Sequence, residues 1–158
     1  MIIRSLDDLR GTKGEKDTPN WSSMRFLHTE DRMGFTVTDT WIKPGADQVI
    51  EYKNHLEACY CIEGAGTIED LKTGKTHALK AGTIYALDKH DRHRIKTTSG
   101  MRLICTFTPA LVGGEVHRPD GSYAAAPKAA KAKRKAPGRK KAAGKPKRRA
   151  AKKRRAGR

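Results

Sequence analysis

The sequence predicts an all-β protein, an antiparallel sandwich or small barrel, that is followed by a disordered basic tail. Short runs rich in β-branched and aromatic residues recur along residues 21–108, and turn residues such as Gly, Asp and Pro separate them. No apolar periodicity of 3.6 residues extends over a useful length there, which argues against helices. From residue 124 onward the composition changes to Lys, Arg and Ala.

The predicted elements follow in order along the chain. Residues 1–6 ("MIIRSL") predict an edge strand, and the polar residues 7–20 predict an exposed loop. Nine further strands are predicted, at residues 24–29, 34–42, 48–52, 57–64, 65–71, 76–80, 82–87, 93–98 and 101–108. Turn segments such as "KPGAD" and "LKTGK" lie between them, so neighbouring strands are expected to pair as antiparallel hairpins.

The charge of the chain divides it into two parts. Of the 34 Lys and Arg residues, 17 lie in residues 124–158, and the other 17 balance the 17 Asp and Glu of residues 1–123. Residues 1–123 are therefore expected to form one compact domain with its own core. The like charges and recurring prolines of residues 124–158 predict a tail that is disordered when free. Such a tail could bind nucleic acid without reading its sequence.

The cellular context is also indicated by composition. The three cysteines are Cys59, Cys61 and Cys105, and an odd number with two of them one residue apart does not indicate a disulfide framework. No segment approaches the roughly 18 apolar residues of a membrane span, and the first residues carry no apolar leader. We therefore expect a cytoplasmic protein.

Two spaced motifs carry the candidate site, and both are typical of small barrels of the cupin type. The pattern G-x5-H-x-H-x3-E-x6-G keeps its spacing from Gly45 to Gly64, with the acidic ligand at Glu57, although the His pair is absent. The pattern G-x5-P-x-G-x2-H-x3-N begins at Gly82 and keeps the ligand His93. The glycines at these spacings mark turns that other side chains would strain. The sequence therefore predicts a cupin-type, jelly-roll-like barrel.

Two ligands hold a metal weakly, so a third donor is expected nearby. Strand alternation directs Tyr85 and Leu87 to one face, and an inward phenol could supply an oxygen. Glu57, Tyr85 and His93 would then form an open site resembling those of non-haem Fe(II). A cation would help to ionise the phenol, whose free pKa is about 10.

Other residues carry simpler interpretations. Cys59 and Cys61 share strand parity with Glu57 and could bind zinc, but buried free cysteines are more often small apolar fillers. His90 lies in a turn and is expected to be exposed. His28 and His77 have no companion ligands and are expected on the surface.

Several segments resemble the ectoine synthase family, whose members adopt the cupin fold. They include "YKNHLEACYCIEG" from Tyr52, "YALDKHDRH" from Tyr85 and "EVHRPDGSY" from Glu115. The likeness covers residues 1–123. It implies a homodimeric hydro-lyase that closes the α-amino group of N-γ-acetyl-L-2,4-diaminobutyrate onto the acetamido carbonyl and loses water to give L-ectoine.

The resemblance also implies the site residues. Glu57, Tyr85 and His93 would hold Fe(II), with Zn(II) or Mn(II) as alternatives. The implied pocket residues are Trp21, Arg25, Thr40, Tyr52, His55, Phe107, Glu115 and His117.

Chemistry suggests roles for these pocket residues. Arg25 would bind the substrate carboxylate through two hydrogen bonds. Glu115 or His117 could act as general base, and Tyr52 or His55 could assist the departure of water. The aromatic residues of the pocket would exclude solvent.

Two other functions fit parts of the sequence. A non-catalytic cupin that binds a small solute while its tail associates with nucleic acid would bind ligand without turnover. A different cupin enzyme, such as an isomerase or dioxygenase, would fit the metal site but not the family-specific segments. The sequence alone leaves open the metal, the general acid and base, and the role of residues 124–158.

Overall fold

The structure is a computed structural model that describes residues 1–123, and the tail predicted for residues 124–158 lies outside the described residues. This described part of the chain forms nine strands: β1 (Glu15–Asp17), β2 (Trp21–Arg25), β3 (Thr36–Ile42), β4 (Asp47–Ile50), β5 (Leu56–Asp70), β6 (Lys75–Lys80), β7 (Ile84–Leu87), β8 (His93–Lys96) and β9 (Met101–Thr108). Within residues 1–123 the only helices are two 3₁₀ turns, Asp7–Leu9 and Thr29–Asp31, and no helix there could span a membrane. The all-β prediction is confirmed.

The long strand β5 joins the two halves of the sheet. All pairs are antiparallel, in the order β1-β2-β3-β9-β5-β8-β4, and β6 and β7 also pair with β5. The first half of β5 pairs with β9 and β7, whereas its second half pairs with β6 and β8. Because one strand contributes to both halves, the sheet curls into a half-open barrel around a common core.

Two predicted strands form one continuous strand that contains a β-bulge. Residues 57–64 and 65–71 were expected as separate strands, but Leu56–Asp70 is continuous, with a register shift against β9 between Cys61 and Glu63. Before the bulge the buried positions are Glu57, Cys59 and Cys61, and after it Ile68 is buried. The extra residue thus changes which parity faces the core, as bulges do.

The prediction of an edge strand at residues 1–6 is wrong. Residues 1–5 are not in a strand, and the first strand lies instead at Glu15–Asp17, inside the predicted loop. The start of the chain is fastened by a side chain: Arg4 donates two hydrogen bonds to the Asp31 carboxylate, at 2.6 and 2.7 Å. The start of the chain is therefore held by a side-chain contact rather than by strand pairing.

The segment after β9 is irregular but firmly attached. The Leu111 amide donates to the Thr36 hydroxyl at 2.8 Å, and the Leu111 carbonyl accepts from the Thr29 amide at 2.8 Å. Farther on, the Glu51 amide donates to the Gly121 carbonyl at 3.2 Å. We call residues 109–123 the C-terminal segment. It ends with Tyr123 buried against the barrel interior.

The motif glycines Gly45, Gly64 and Gly82 have positive φ, as expected for turn glycines. Gly64 also lies too close to other backbone atoms to accept a side chain. Gly64 and Gly74 both have positive φ, +78° and +71°, but a methyl group on Gly64 would collide with the backbone of Gly100 and Met101, while one on Gly74 would meet nothing within 4 Å. We expect Gly74→Ala to cost about 1–2 kcal/mol in unfolding free energy. Gly64→Ala should cost about 3 kcal/mol or more, because steric overlap adds to that strain.

Urea unfolding of the two variants measures this difference. Equal losses of stability in Gly64→Ala and Gly74→Ala would show that the close approach of β5 and β9 at Gly64 imposes no steric constraint.

Candidate active site

A cavity inside the barrel receives side chains from both halves of the sheet. Glu57 on β5, Tyr85 on β7 and His93 on β8, the three predicted metal donors, all line it. Tyr85 on β7 is the register partner of Cys59, which lies two residues after Glu57 on β5. His93 is the first residue of β8. The curled sheet thus brings residues of the two sequence motifs to one place.

The predicted substrate-binding residues line the same cavity. They are Trp21, Arg25, Thr40 and Phe107. They lie on β2, β3 and β9, where alternate side chains face the interior. The Thr40 hydroxyl lies 2.9 Å from the hydroxyls of both Ser23 and Thr38, so this wall offers a row of small polar groups.

The imidazole of His93 is prepared to act as a ligand. Its Nδ1 lies 2.9 Å from the Asp91 carbonyl oxygen, which can only accept, so Nδ1 carries the proton. Burial lowers the pKa of His93, which keeps the ring neutral. Nε2 therefore has a free lone pair, the arrangement commonly found in metal-binding histidines.

The other two donors are held in a neutral state by burial. Desolvation raises the pKa of Glu57 to about 8. It also raises the pKa of Tyr85 well above 10, and nearby Cys59 and Glu57 add to this effect. A cation placed among these oxygens would stabilise both ionised forms. One carboxylate, one phenolate and one imidazole nitrogen around a cavity fit a divalent metal with open positions for a ligand.

Trp21, His117 and Tyr52 form a hydrogen-bonded chain along the cavity. The Trp21 indole can only donate, and it donates to Nδ1 of His117 at 3.2 Å. Burial, with Arg25 nearby, lowers the pKa of His117 to about 4, so the neutral ring carries its proton on Nε2. Nε2 lies 2.8 Å from the Tyr52 hydroxyl, which must then accept. The hydroxyl proton of Tyr52 is left free for another acceptor.

The geometry gives Arg25 and Glu115 a different relationship from the separate roles predicted for them. Glu115 is buried but does not line the cavity. Its carboxylate accepts from the Val112 amide at 2.6 Å, the Gly113 amide at 2.9 Å and the Arg25 guanidinium at 3.1 Å. Arg25 also donates to the carbonyls of Gly113 and Glu115. Together they fasten the C-terminal segment to β2, while Arg25 also lines the cavity, so the roles predicted for these two residues toward substrate stay predictions.

Three other histidines differ in environment. His55 is buried outside the cavity, where its Nδ1 donates to the Pro109 carbonyl at 2.8 Å and its Nε2 has no partner among residues 1–123. His28 was expected on the surface, but this prediction is wrong: it is 5% exposed, because the C-terminal segment covers it at Gly113. His77 is exposed, as predicted.

Sequence reasoning missed Tyr123, which lines the cavity. Its ring stacks on His117 at 4.7 Å between centroids and tilts against Tyr52 at 4.8 Å. Tyr123 ends the family-like segment "EVHRPDGSY", but no spacing or strand pattern there indicated that its side chain enters the site. Gln48 on β4 also lines the cavity, with a side-chain nitrogen that has no partner among residues 1–123.

His90 joins the two motif regions. It is exposed, as predicted, and has a positive φ of 57°. Its Nδ1 lies 2.7 Å from the Tyr52 carbonyl and 3.1 Å from the His55 carbonyl, so it donates to both. The turn before Glu57 is thereby tied to the loop before His93.

A family model described as ectoine synthase matches residues 1–127. The L-ectoine synthase of Virgibacillus pantothenticus is 50% identical over 123 residues, which cover 78% of this chain and 96% of that protein. The crystal structure of ectoine synthase from P. lautus is similar with a TM-score of 0.68 and 47% identity, over 72% of this chain and 81% of the other.

A more distant structure shows the fold alone. The Cnp3 cupin domain of Schizosaccharomyces pombe has a TM-score of 0.53 and 14% identity, over 68% of this chain and 74% of the other. The predicted cupin-type barrel is therefore confirmed.

The link through His90 can be tested with two amide side chains. Asn tolerates positive φ and carries a nitrogen near the position of the imidazole Nδ1, whereas the nitrogen of Gln lies one bond farther away. We expect His90→Gln and His90→Ala to lose about 2 kcal/mol of unfolding free energy and to bind Fe(II) more weakly, because two hydrogen bonds are lost. His90→Asn should retain most of both properties.

Thermal unfolding and calorimetric titration with Fe(II) measure these effects. If His90→Ala bound Fe(II) as well as His90→Asn, the link would have no part in positioning the site.

Proposed function

The chain belongs to the ectoine synthase family, a family of hydro-lyases in ectoine biosynthesis, and on this premise we propose that it converts N-γ-acetyl-L-2,4-diaminobutyrate to L-ectoine. The observation that carries the proposal is the convergence of Glu57, Tyr85 and His93 on one cavity whose opposite walls hold aromatic and hydroxyl groups. A zwitterionic substrate with an apolar carbon chain needs both polar and apolar surfaces around it.

We propose that Glu57, Tyr85 and His93 hold Fe(II), with Zn(II) and Mn(II) as alternatives. The proposal is supported by the proton on Nδ1 of His93, which leaves Nε2 free. It is also supported by two oxygen donors, buried Glu57 and half-buried Tyr85, that lack a cationic partner within residues 1–123. A divalent metal there would supply Lewis-acid polarisation of the amide oxygen, worth several kcal/mol in the transition state.

The reaction needs no net proton from the protein. The α-nitrogen forms a bond to the acetamido carbon, and the carbonyl oxygen leaves as water. Of the three hydrogens on the substrate ammonium, two leave with that oxygen and one remains on the cyclic amidinium. Burial of the ammonium in this cavity favours its neutral form, so desolvation itself assists the first deprotonation.

Tyr52 is the group best suited to deliver a proton to the leaving oxygen. Its hydroxyl accepts from Nε2 of His117 and keeps its own proton for donation. Burial raises the pKa of Tyr52 well above 10, so the hydroxyl is protonated before reaction. The phenol would regain its proton from the former amine nitrogen after each donation, so two such exchanges would move both protons from that nitrogen to the departing oxygen.

The aromatic walls would protect the product from the reverse reaction. Trp21 and Phe107 are each 4% exposed, and Tyr123 is 5% exposed. Since bulk water drives hydrolysis of the amidine, its exclusion favours ring closure. The same walls would also hold the flexible substrate folded, which lowers the entropy cost of an intramolecular attack.

The homodimer and the cytoplasmic location implied earlier stay predictions. Exposed apolar side chains on the outer face of β5 and β7 support the dimer: Ile84 is 66% exposed and Tyr60 is 46% exposed. Neighbouring apolar groups of this kind commonly mark a protein interface.

We further propose that residues 124–158 bind nucleic acid without sequence preference. The proposal rests on composition, with 17 cations and no acidic residue in this part of the chain. The family match ends at residue 127, so most of this charge lies beyond the part that resembles other family members.

Cyclisation of N-γ-acetyl-L-2,4-diaminobutyrate by purified protein tests the proposed function. We expect Fe(II)-reconstituted protein to form ectoine, and metal-free protein to form little. Glu57→Ala should lower kcat/KM by about 100-fold or more, since several kcal/mol of transition-state stabilisation are lost. Chromatographic measurement of product under anaerobic conditions gives both values.

Glu63→Ala is the matched control, because Glu63 is an exposed acid on the same strand. Its activity should equal that of the unaltered chain. Folded, metal-loaded protein that binds the substrate without forming product would sink the enzyme proposal and favour a solute-binding cupin.

The tail is tested with a chain that ends at Tyr123. The full chain should bind a DNA duplex with an affinity that falls steeply with salt, with a log–log slope of about −9 if ten phosphates are contacted. The shortened chain should bind DNA weakly and still form ectoine. Equal DNA affinity of the two chains, measured by fluorescence anisotropy at several salt concentrations, would contradict this role.

A further inference from the structure

Three donors beside the proposed metal ligands form a separate group. Cys59 on β5 lies directly opposite Cys105 on β9. One ligand atom each from Glu57, Cys59 and Cys105 can be chosen so that all three lie within 4.8 Å of one another. All three residues are buried. The group therefore combines two thiols and a carboxyl in the volume that a single metal ion requires.

The third cysteine does not belong to this group. The Cys61 thiol donates to the Glu63 carbonyl at 3.4 Å, a local bond within β5. The sequence suggested a zinc pair from Cys59 and Cys61 because they share strand parity. Tertiary structure instead pairs Cys59 with Cys105, which comes from a strand far away in sequence.

We propose that Glu57, Cys59 and Cys105 form a thiol-rich site that binds Zn²⁺ or Cd²⁺. Thiolates prefer such soft ions, and zinc sites commonly combine sulfur with carboxylate or imidazole donors. An ion can reach the group from the cavity, because Glu57 and Cys105 line it, whereas Cys59 lies behind them with no exposed surface. Each thiol gives up its proton on binding, so uptake of the ion releases protons.

This site goes beyond the proposed function, and only its effect on activity rests on that function. Glu57 is common to the thiol-rich group and to the set with Tyr85 and His93. A single buried carboxylate cannot serve both sets fully, so an ion held by the two sulfurs would compete with Fe(II). The cysteines would thereby make the enzyme sensitive to thiophilic metals.

X-ray absorption of zinc-loaded, reduced, full-length protein tests the site directly. We expect two sulfur neighbours at about 2.3 Å, which are resolved from nitrogen and oxygen neighbours at about 2.0–2.2 Å. One sulfur should remain in Cys59→Ala and in Cys105→Ala, while the matched control Cys61→Ala should retain two. A zinc coordination shell of nitrogen and oxygen alone in the unaltered protein would overturn the proposal. This measurement does not depend on the folding of any variant.

Affinity provides a second measurement. Cys59→Ala should weaken Zn²⁺ binding by more than about 10-fold and change Fe(II) binding much less, because Cys59 adjoins Glu57 and Tyr85 but is not in the Fe(II) donor set. Equal Zn²⁺ affinity of Cys59→Ala and Cys61→Ala would contradict the site. Neither readout depends on ectoine formation, so zinc found only on Glu57, Tyr85 and His93 would reject this inference while leaving the proposed function intact.

Discussion

The buried ion pair between Arg25 and Glu115 is the constraint on which the closed cavity depends. Both side chains are almost fully enclosed, with exposures of 1% and 4%. Removing one partner of such a pair typically costs about 3–5 kcal/mol, because the other charge remains buried without compensation. The pair holds the irregular C-terminal segment against β2, and that segment carries His117 and Tyr123 into the cavity. A strand pairing could not do this, because the segment forms no strand.

Once the segment is in place, a sequence of hydrogen bonds sets the protonation of the site. Trp21 can only donate, so Nδ1 of His117 accepts and the ring proton is on Nε2. Nε2 then donates a hydrogen bond to the Tyr52 hydroxyl oxygen. On the opposite wall the Asp91 carbonyl sets the proton of His93 in the same way. Groups that can only donate or only accept thus decide the states of the groups that can do both. This leaves a phenol able to donate and an imidazole able to bind a metal.

The cavity also shows how one strand can serve two kinds of chemistry. The first half of β5 directs Glu57 and Cys59 inward, and β9 adds Cys105 from the facing register position. Hard oxygen donors and soft thiols therefore lie side by side in a buried environment, where the identity of the ion determines which donors it engages. Burial raises the pKa of Glu57 and of Cys59, so these two side chains are neutral until a cation enters.

The sequence by itself determined the all-β class, the cupin-type barrel and the turn glycines, because strand alternation and positive-φ turns are local properties. Motif spacing also identified Glu57 and His93 as candidate ligands. Only the tertiary structure decided that Cys59 meets Cys105, that Glu115 fastens Arg25, and that Tyr123 enters the cavity. These contacts join residues distant in sequence, and they depend on the β5 bulge, the register of β9 and the return of an irregular segment. No periodicity along the chain encodes such features, since they follow from the mutual fit of buried side chains.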